Sequence, residues 1–163
     1  IGEDDSFIKL SIGRRHIIFE TGDYVIISRL LEGEFLDYHS AVPTLTTTVI
    51  RVGTPELIDV IERTSIIITE KTRSPIRFIV DNGIIKVSAV TALGSASDRI
   101  EASVSGKRLE IGFNNRFFLD ALRSCDTDEV LINLNGPVSP AVILPPEGSD
   151  FLYLVLPVRI KND

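Results

Sequence analysis

The ten residues Ile50-Arg51-Val52-Gly53-Thr54-Pro55-Glu56-Leu57-Ile58-Asp59 pass from a strand pattern into a helix start, and they return 61 residues later as Ile111-Gly112-Phe113-Asn114-Asn115-Arg116-Phe117-Phe118-Leu119-Asp120. The offset lays Ile50 on Ile111, Val52 on Phe113, Leu57 on Phe118, Ile58 on Leu119 and Asp59 on Asp120. In the first copy Thr46–Val52 alternates like a strand. Thr54 is placed to cap the helix that follows, Pro55 suits its first turn and Glu56 favours the positive pole of its dipole. Leu57, Ile61, Thr64 or Ser65 and Ile68 then recur at helical spacing, with Glu56, Asp59 and Arg63 on the other face, which predicts a helix of about four turns. In the second copy Lys107–Phe113 reads as the strand, Asn114 or Asn115 as the cap, and Phe118, Ala121, Leu122 and Cys125 as the helix face.

Working outward, each helix is followed by three strand patterns. After the first come Ile76–Val80, Ile84–Val90 and Ser97–Val104; after the second come Glu129–Leu134, Ala141–Leu144 and Phe151–Val158. Asp81-Asn82-Gly83 carries the signature of a tight hairpin. Five elements in one shared order predict a duplicated α+β unit, strand, helix and three strands, with antiparallel sheets. Upstream, Phe7–Ile12, Arg15–Glu20 and Tyr24–Leu31 match only the last three strands of such a unit. The expectation is therefore half a domain in residues 1–43 and a complete domain in residues 44–163. A lone three-stranded piece has one apolar face and must pack on something outside itself. The chain starts at Ile1 and contains no methionine, which adds the expectation that its first copy is cut short.

The 163 residues are 44% apolar, enough to bury a core, and the apolar runs are short and rich in Ile, Leu and Val. No run approaches the roughly 18–20 apolar residues of a membrane span, and no charged, apolar leader is present. With 17 basic against 23 acidic residues the net charge is −6, which argues against nucleic-acid binding through a broadly basic surface. The single cysteine, Cys125, cannot form an internal disulfide, as fits a reducing compartment.

Catalytic chemistry needs a convergent nucleophile, base or paired acid, and the candidates are thin. His16 sits beside Arg14 and Arg15 at a hairpin, where a solvated turn residue is the ordinary reading. His39 follows Asp37 and Tyr38 without a spaced metal-ligand partner. Cys125 on an apolar helix face reads as a small buried hydrophobe. Asp4, Asp5, Asp37, Asp98 and Glu101 are scattered as surface charge, and no glycine loop fit to cradle phosphate is present. These readings predict a non-catalytic binding module without metal or cofactor.

The most informative stretch is Phe151-Leu152-Tyr153-Leu154-Val155-Leu156-Pro157-Val158-Arg159. It is more apolar than a half-exposed strand requires. Pro157 cannot donate to a ladder, so the strand must leave its sheet there, on or near an edge. The side chains either finish the domain core or form an apolar groove for a peptide.

At this point the residues resemble a known family, the bacterial DNA polymerase III β subunits, or sliding clamps. The likeness covers nearly all of the chain. Ser28-Arg29-Leu30-Leu31-Glu32-Gly33-Glu34-Phe35 with Asp37-Tyr38 looks like that family's link from its middle domain into its third. Ile111-Gly112-Phe113-Asn114, Leu119-Asp120-Ala121-Leu122 and Leu156-Pro157-Val158-Arg159 look like third-domain signatures, in the family's order and spacing. The resemblance implies a clamp fold, with residues 1–43 as the second half of the middle domain and residues 44–163 as the third.

It also implies a function: a cytoplasmic, non-catalytic processivity factor whose two subunits join head to tail into a ring around duplex DNA. Because that link is topological, a charge of −6 is no objection. The implied partners are the catalytic subunit of DNA polymerase III, the clamp loader and other proteins carrying a clamp-binding peptide. The implied third-domain wall of the peptide pocket comprises Asn114, Phe117, Val138, Pro140, Leu154, Val155, Leu156, Pro157, Val158 and Arg159, with Ser40 and Ala41 at the linker edge. Ile66 and Ile67 match the family's subunit contact, where Asp98 and Glu101 stand for a longer acidic run. Arg63, Lys71, Arg73, Arg116 and Arg123 are the implied DNA-facing cations, and Glu56, Asp59 and Asp120 share their faces. The chain departs from the family at Leu36, where a proline is usual, and at Ser40 and Ala41, which are smaller. The motif for the pocket's opposite wall is expected upstream of Ile1. The competing readings are an unrelated β-rich structural or adhesion module, and an enzyme built on the convergence of His39, Asp37 and a nearby arginine.

Overall fold

The computed structural model describes residues 7–35, 37–69 and 74–160. Leu36, Lys71 and Arg73, singled out above, and Asp4 and Asp5 lie outside the described residues. The chain forms two compact units, Ile1–Asp37 and Tyr38–Asp163.

The first unit is an antiparallel meander of β1 (Lys9–Ile12), β2 (His16–Thr21) and β3 (Tyr24–Arg29). Its register sets Leu10 opposite Phe19 and Ile18 opposite Ile27, and Lys9 meets the facing Glu20 at 2.7 Å. No residue of the three strands is buried, as expected of three strands without a second layer.

The second unit opens with a single helical turn, α1 (Tyr38–Ala41), which the sequence pattern does not announce. Then follow β4 (Thr48–Gly53), α2 (Thr54–Ser65), β5 (Ile76–Asp81), β6 (Ile84–Thr91), β7 (Gly94–Glu101) and β8 (Ser103–Gly106). The second half runs through β9 (Leu109–Phe113), α3 (Asn115–Arg123), β10 (Glu129–Leu134), β11 (Ala141–Leu144), β12 (Tyr153–Val155) and β13 (Pro157–Val158). Two five-stranded antiparallel sheets result, ordered β12-β11-β10-β4-β8 and β13-β9-β5-β6-β7. Exchanging the two halves maps one order onto the other, so the repeat is a pseudo-two-fold in which each half lends its first strand to the other half's sheet.

This exchange corrects two expected elements. Ser97–Val104 is not one strand: the chain leaves one sheet after Glu101, turns at Ala102, whose N–H donates to Gly83 O at 2.9 Å, and joins the other sheet as β8. Phe151–Val158 divides in the same way at Leu156. Pro157 opens β13 on a sheet edge opposite Phe113, a place where a residue without an N–H costs nothing.

The helix starts differ too. Thr54 does not cap α2. Gly53 holds the cap position, extended at φ −62° and ψ 129°, and no side chain caps the helix. The cause is the sheet: Gly53 still pairs with Glu129, and Thr54 donates its N–H to Asp128 O at 2.8 Å. The ladder therefore carries the extended chain up to Gly53, and Glu56 folds its carboxylate back over it. In α3 the expected cap is present, the Asn114 side-chain oxygen accepting from the Arg116 N–H at 3.0 Å. Both helices stop short of expectation: α2 ends at Ser65 rather than Ile68, and α3 at Arg123. Cys125 thus lies just past its helix, with its N–H on Leu122 O at 3.1 Å.

The core lies where α2 and α3, side by side, cover the two sheets. Phe78 of β5, Phe113 of β9 and Phe118 of α3 are fully buried, with ring centroids 4.8–5.5 Å apart, so one aromatic cluster ties both halves together. Of the buried hydroxyls, Thr48 donates to Lys107 O at 2.8 Å and Thr64 bonds back to Val60 O. The Asn82-Gly83 hairpin is as expected, both residues at positive φ (46° and 78°) between the paired Asp81 and Ile84.

Candidate functional site

The second crossing between sheets makes a cleft. When β12 hands over to β13, Leu154–Val158 runs past α3, and Phe117, Asp120, Ala121 and Ser124 face it at the spacing of one helix stripe. Asn114 closes the helix's N-terminal end and Tyr153 lies at the other, its hydroxyl donating to Ser124 O at 2.9 Å. The cleft has a volume of about 550 Å³ and a mostly apolar lining, the size and chemistry of a ligand groove. Val155 forms a buried floor, while Phe117 is 65% and Leu156 67% exposed. Two large apolar side chains held open beside one groove are a costly surface unless something covers them.

The place related by pseudo-symmetry in the other half is bridged instead. Arg63 of α2 occupies the place of Ser124, and its guanidinium reaches across to Asp98 of β7 at 2.8 Å. A salt bridge therefore spans the space between α2 and β7 that stays open between α3 and β12. The Arg123 guanidinium at the end of α3 is committed as well, meeting Glu62 at 2.7 Å.

Of the twelve pocket residues read from the sequence, Asn114, Phe117, Leu154, Val155, Leu156, Pro157 and Val158 come together in this cleft. Val138 and Arg159 line a separate groove of about 420 Å³ with Arg108, Leu109 and Ile160. Pro140 is half-buried, and Ser40 and Ala41 stand on α1; these three line neither groove. Asp120, Ala121, Ser124 and Tyr153 were not anticipated. The signal was available: 117, 120, 121 and 124 repeat at i, i+3, i+4 and i+7, and a tyrosine beside a helix end needs a partner for its hydroxyl.

Ile66 is 80% exposed in the turn after α2, beside a half-buried Ile67. Asp98 has its carboxyl pKa lowered from the usual carboxylate value, first by the Arg99 N–H and then by the Arg63 guanidinium. It is thus already engaged within the unit. The Cys125 thiol is pushed up by burial and by the nearby Asp126 charge, which keeps it protonated. Among the described residues no three His, Cys, Asp or Glu side chains gather as a metal site, and no helix is long and apolar enough to cross a membrane.

Comparison with known proteins accords with this geometry. Residues 39–159 match the profile described as the DNA polymerase III beta subunit, C-terminal domain. The beta sliding clamp of Pseudomonas aeruginosa is 30% identical over 97% of this chain, which spans 43% of that protein's length. Among solved structures, a putative DNA polymerase III beta subunit from Eubacterium rectale superposes with a TM-score of 0.85 at 34% identity, covering 94% of this chain and 42% of that one. The sliding clamp of Bartonella birtlesii, in a structure bound to griselimycin, superposes with a TM-score of 0.85 at 28% identity over 94% of this chain and 41% of that one. These matches do not favour an unrelated structural or adhesion module.

Proposed function

Since the chain belongs to the DNA polymerase III β-subunit family, the sliding clamps, we propose that it serves as part of a cytoplasmic processivity factor, a ring that encircles duplex DNA and tethers its partners without catalysing a reaction. The chain spans less than half the length of the curated relatives it matches. Residues 44–163 take the part of the third clamp domain and residues 1–43 that of the second half of the middle one. The ring closes by head-to-tail pairing of two subunits, with Ile66 and Ile67 in the contact. The DNA is held topologically, which is compatible with α2 and α3 carrying acids as well as arginines.

The observation that carries this reading is the apolar cleft between α3 and the β12–β13 crossing. Its aliphatic and aromatic walls suit a leucine or phenylalanine anchor of a partner peptide, such as one on the polymerase catalytic subunit or the clamp loader. Asn114 uses its carbonyl oxygen to cap α3, which leaves its NH2 group to bind a peptide carbonyl. The Val138 and Arg159 groove extends the surface available to a longer segment. The test is an amide-shift titration of the chain with a short peptide containing leucine and phenylalanine. Shifts centred on Asn114, Phe117 and Leu156 are expected, and their absence at millimolar peptide would sink the assignment.

A further inference from the structure

The cleft is apolar but not electrically neutral. Asp120 is the one charged residue among those lining it. Among the described residues no ion pair engages its carboxylate, and Arg123, one turn on, is turned to Glu62. Ser124 spends its hydroxyl on the Asp120 backbone carbonyl at 2.8 Å, not on the carboxylate. Asp120 also stands in the last turns of α3, so its charge adds to the negative pole of that helix, while the Asn114 cap marks the positive pole at the other end. The cleft therefore runs from donor groups at Asn114 to an acceptor-rich, negative end at Asp120 and Ser124.

Resting on the reading of this cleft as a peptide site, we propose that Asp120 is a specificity residue that selects partner peptides bearing a lysine or arginine beside their apolar anchor. The anchor fills the space between Phe117 and Leu156, and the cationic side chain lies over the Asp120 carboxylate. Charge complementarity commits the occupant: an acidic residue in that place would meet both the carboxylate and the helix's negative pole, with no cation in the cleft to offset them. Attraction at such an exposed rim is modest, and repulsion of the wrong charge adds to it.

The experiment uses fluorescence anisotropy with labelled peptides that share one leucine- and phenylalanine-containing core. Lysine or glutamate is placed in turn at each flanking position. At one position the lysine peptide is expected to bind about tenfold more tightly than its glutamate counterpart at low salt, the product of one weak attraction and one weak repulsion. Asp120→Asn should cut that ratio to about twofold and Asp120→Lys should invert it. Both replace an exposed side chain, so the fold is kept. If the peptides bind but no position discriminates, or if the ratio survives Asp120→Asn, the proposal is overturned and the peptide site stands. If no peptide binds, the peptide site falls, and this proposal with it.

Discussion

Gly112→Ala offers a sharp test of how the fold holds the cleft open. Gly112 lies in β9, paired with Arg77 of β5 on one side and with Val158 of β13 on the other. A Cβ built there falls 2.7 Å from Val158 O and 2.8 Å from Ile160 Cγ1. The first of these is a backbone atom about 0.7 Å inside ordinary van der Waals contact, so a strand must move. It will not be β9, because Ile111 and Phe113 on either side of Gly112 are fully buried and Phe113 belongs to the aromatic cluster. Nor will it be β5, which pairs with β9 across five residues. The strand that yields is β13, two residues long, on an edge, and led by a proline.

Releasing β13 forfeits about one or two ladder hydrogen bonds, each worth about 0.5–1.5 kcal/mol net. That sets the loss of global stability at about 1–3 kcal/mol, the same range as overpacking a well-packed site. The loss to the cleft is larger, since Leu156, Pro157 and Val158 form one of its walls. Hydrogen exchange should show the Val158 amide losing its protection while the β5–β9 ladder, probed at Val80 and Ile111, keeps its own. Affinity for the leucine- and phenylalanine-containing peptide should fall at least about tenfold. An alanine variant that keeps Val158 protected and binds peptide within about twofold of the parent would refute the reasoning.

Three further outcomes are expected. Phe118→Ala removes the ring that bridges Phe78 and Phe113 and should cost about 3–5 kcal/mol, read from the urea midpoint at unchanged slope. Asp98 has its carboxyl pKa depressed in the folded state, so its contribution is complete above the unfolded carboxylate value near about 4 and is lost as pH falls through the folded one. Melting temperatures of the parent and Asp98→Asn should therefore differ at pH 6 and converge toward pH 2, and parallel curves would contradict the Arg63 and Arg99 contacts. Cys125, held protonated by burial and by Asp126, should alkylate with iodoacetamide more slowly at pH 8 than an exposed cysteine, and Asp126→Asn should speed the reaction.

What the sequence made legible is what neighbours in the chain decide. The duplicated strand and helix, the Asn82-Gly83 hairpin, the Asn114 cap and the apolar stripes depend on spacing within about ten residues, and all are present, though each helix ends before the last member of its stripe, Ile68 or Cys125. The crossings were legible only in part. Pro157 marked where one strand leaves its sheet, but Ser97–Val104 carries no such break, and nothing local states that the first part of each segment pairs with β6 or β11 and the second with β4 or β9. The start of α2 failed for a related reason: Thr54 has the better capping chemistry, but the pairing of Gly53 with Glu129, 76 residues away in sequence, fixes where the strand ends. At the site, Asn114, Phe117 and Leu154–Val158 were named through family likeness. The same likeness joined to them Pro140, Ser40 and Ala41, which line neither groove.

A duplicated fold brings two equivalent crossings, and what makes their surroundings differ lies in a few side chains. Each half has a helix beside a strand that changes sheet, so the backbone plan is the same at Glu101–Ser103 and at Val155–Pro157. In the first half α2 continues to Ser65, the counterpart of residue 126, and Arg63 spans from it to Asp98. In the second half α3 stops at Arg123, three residues earlier by the same offset, and the position matching Arg63 is Ser124, too short to cross. Tyr153 makes the helix-to-strand contact instead, by one hydrogen bond at the end of the cleft rather than through its middle. The outer face changes character accordingly, with Phe117 and Leu156 where the first half has Glu56 and Ala102. One half bridges the space between helix and strand with an ion pair. The other leaves that space open and lined mostly with carbon, and that asymmetry puts an apolar cleft on a nearly symmetric unit.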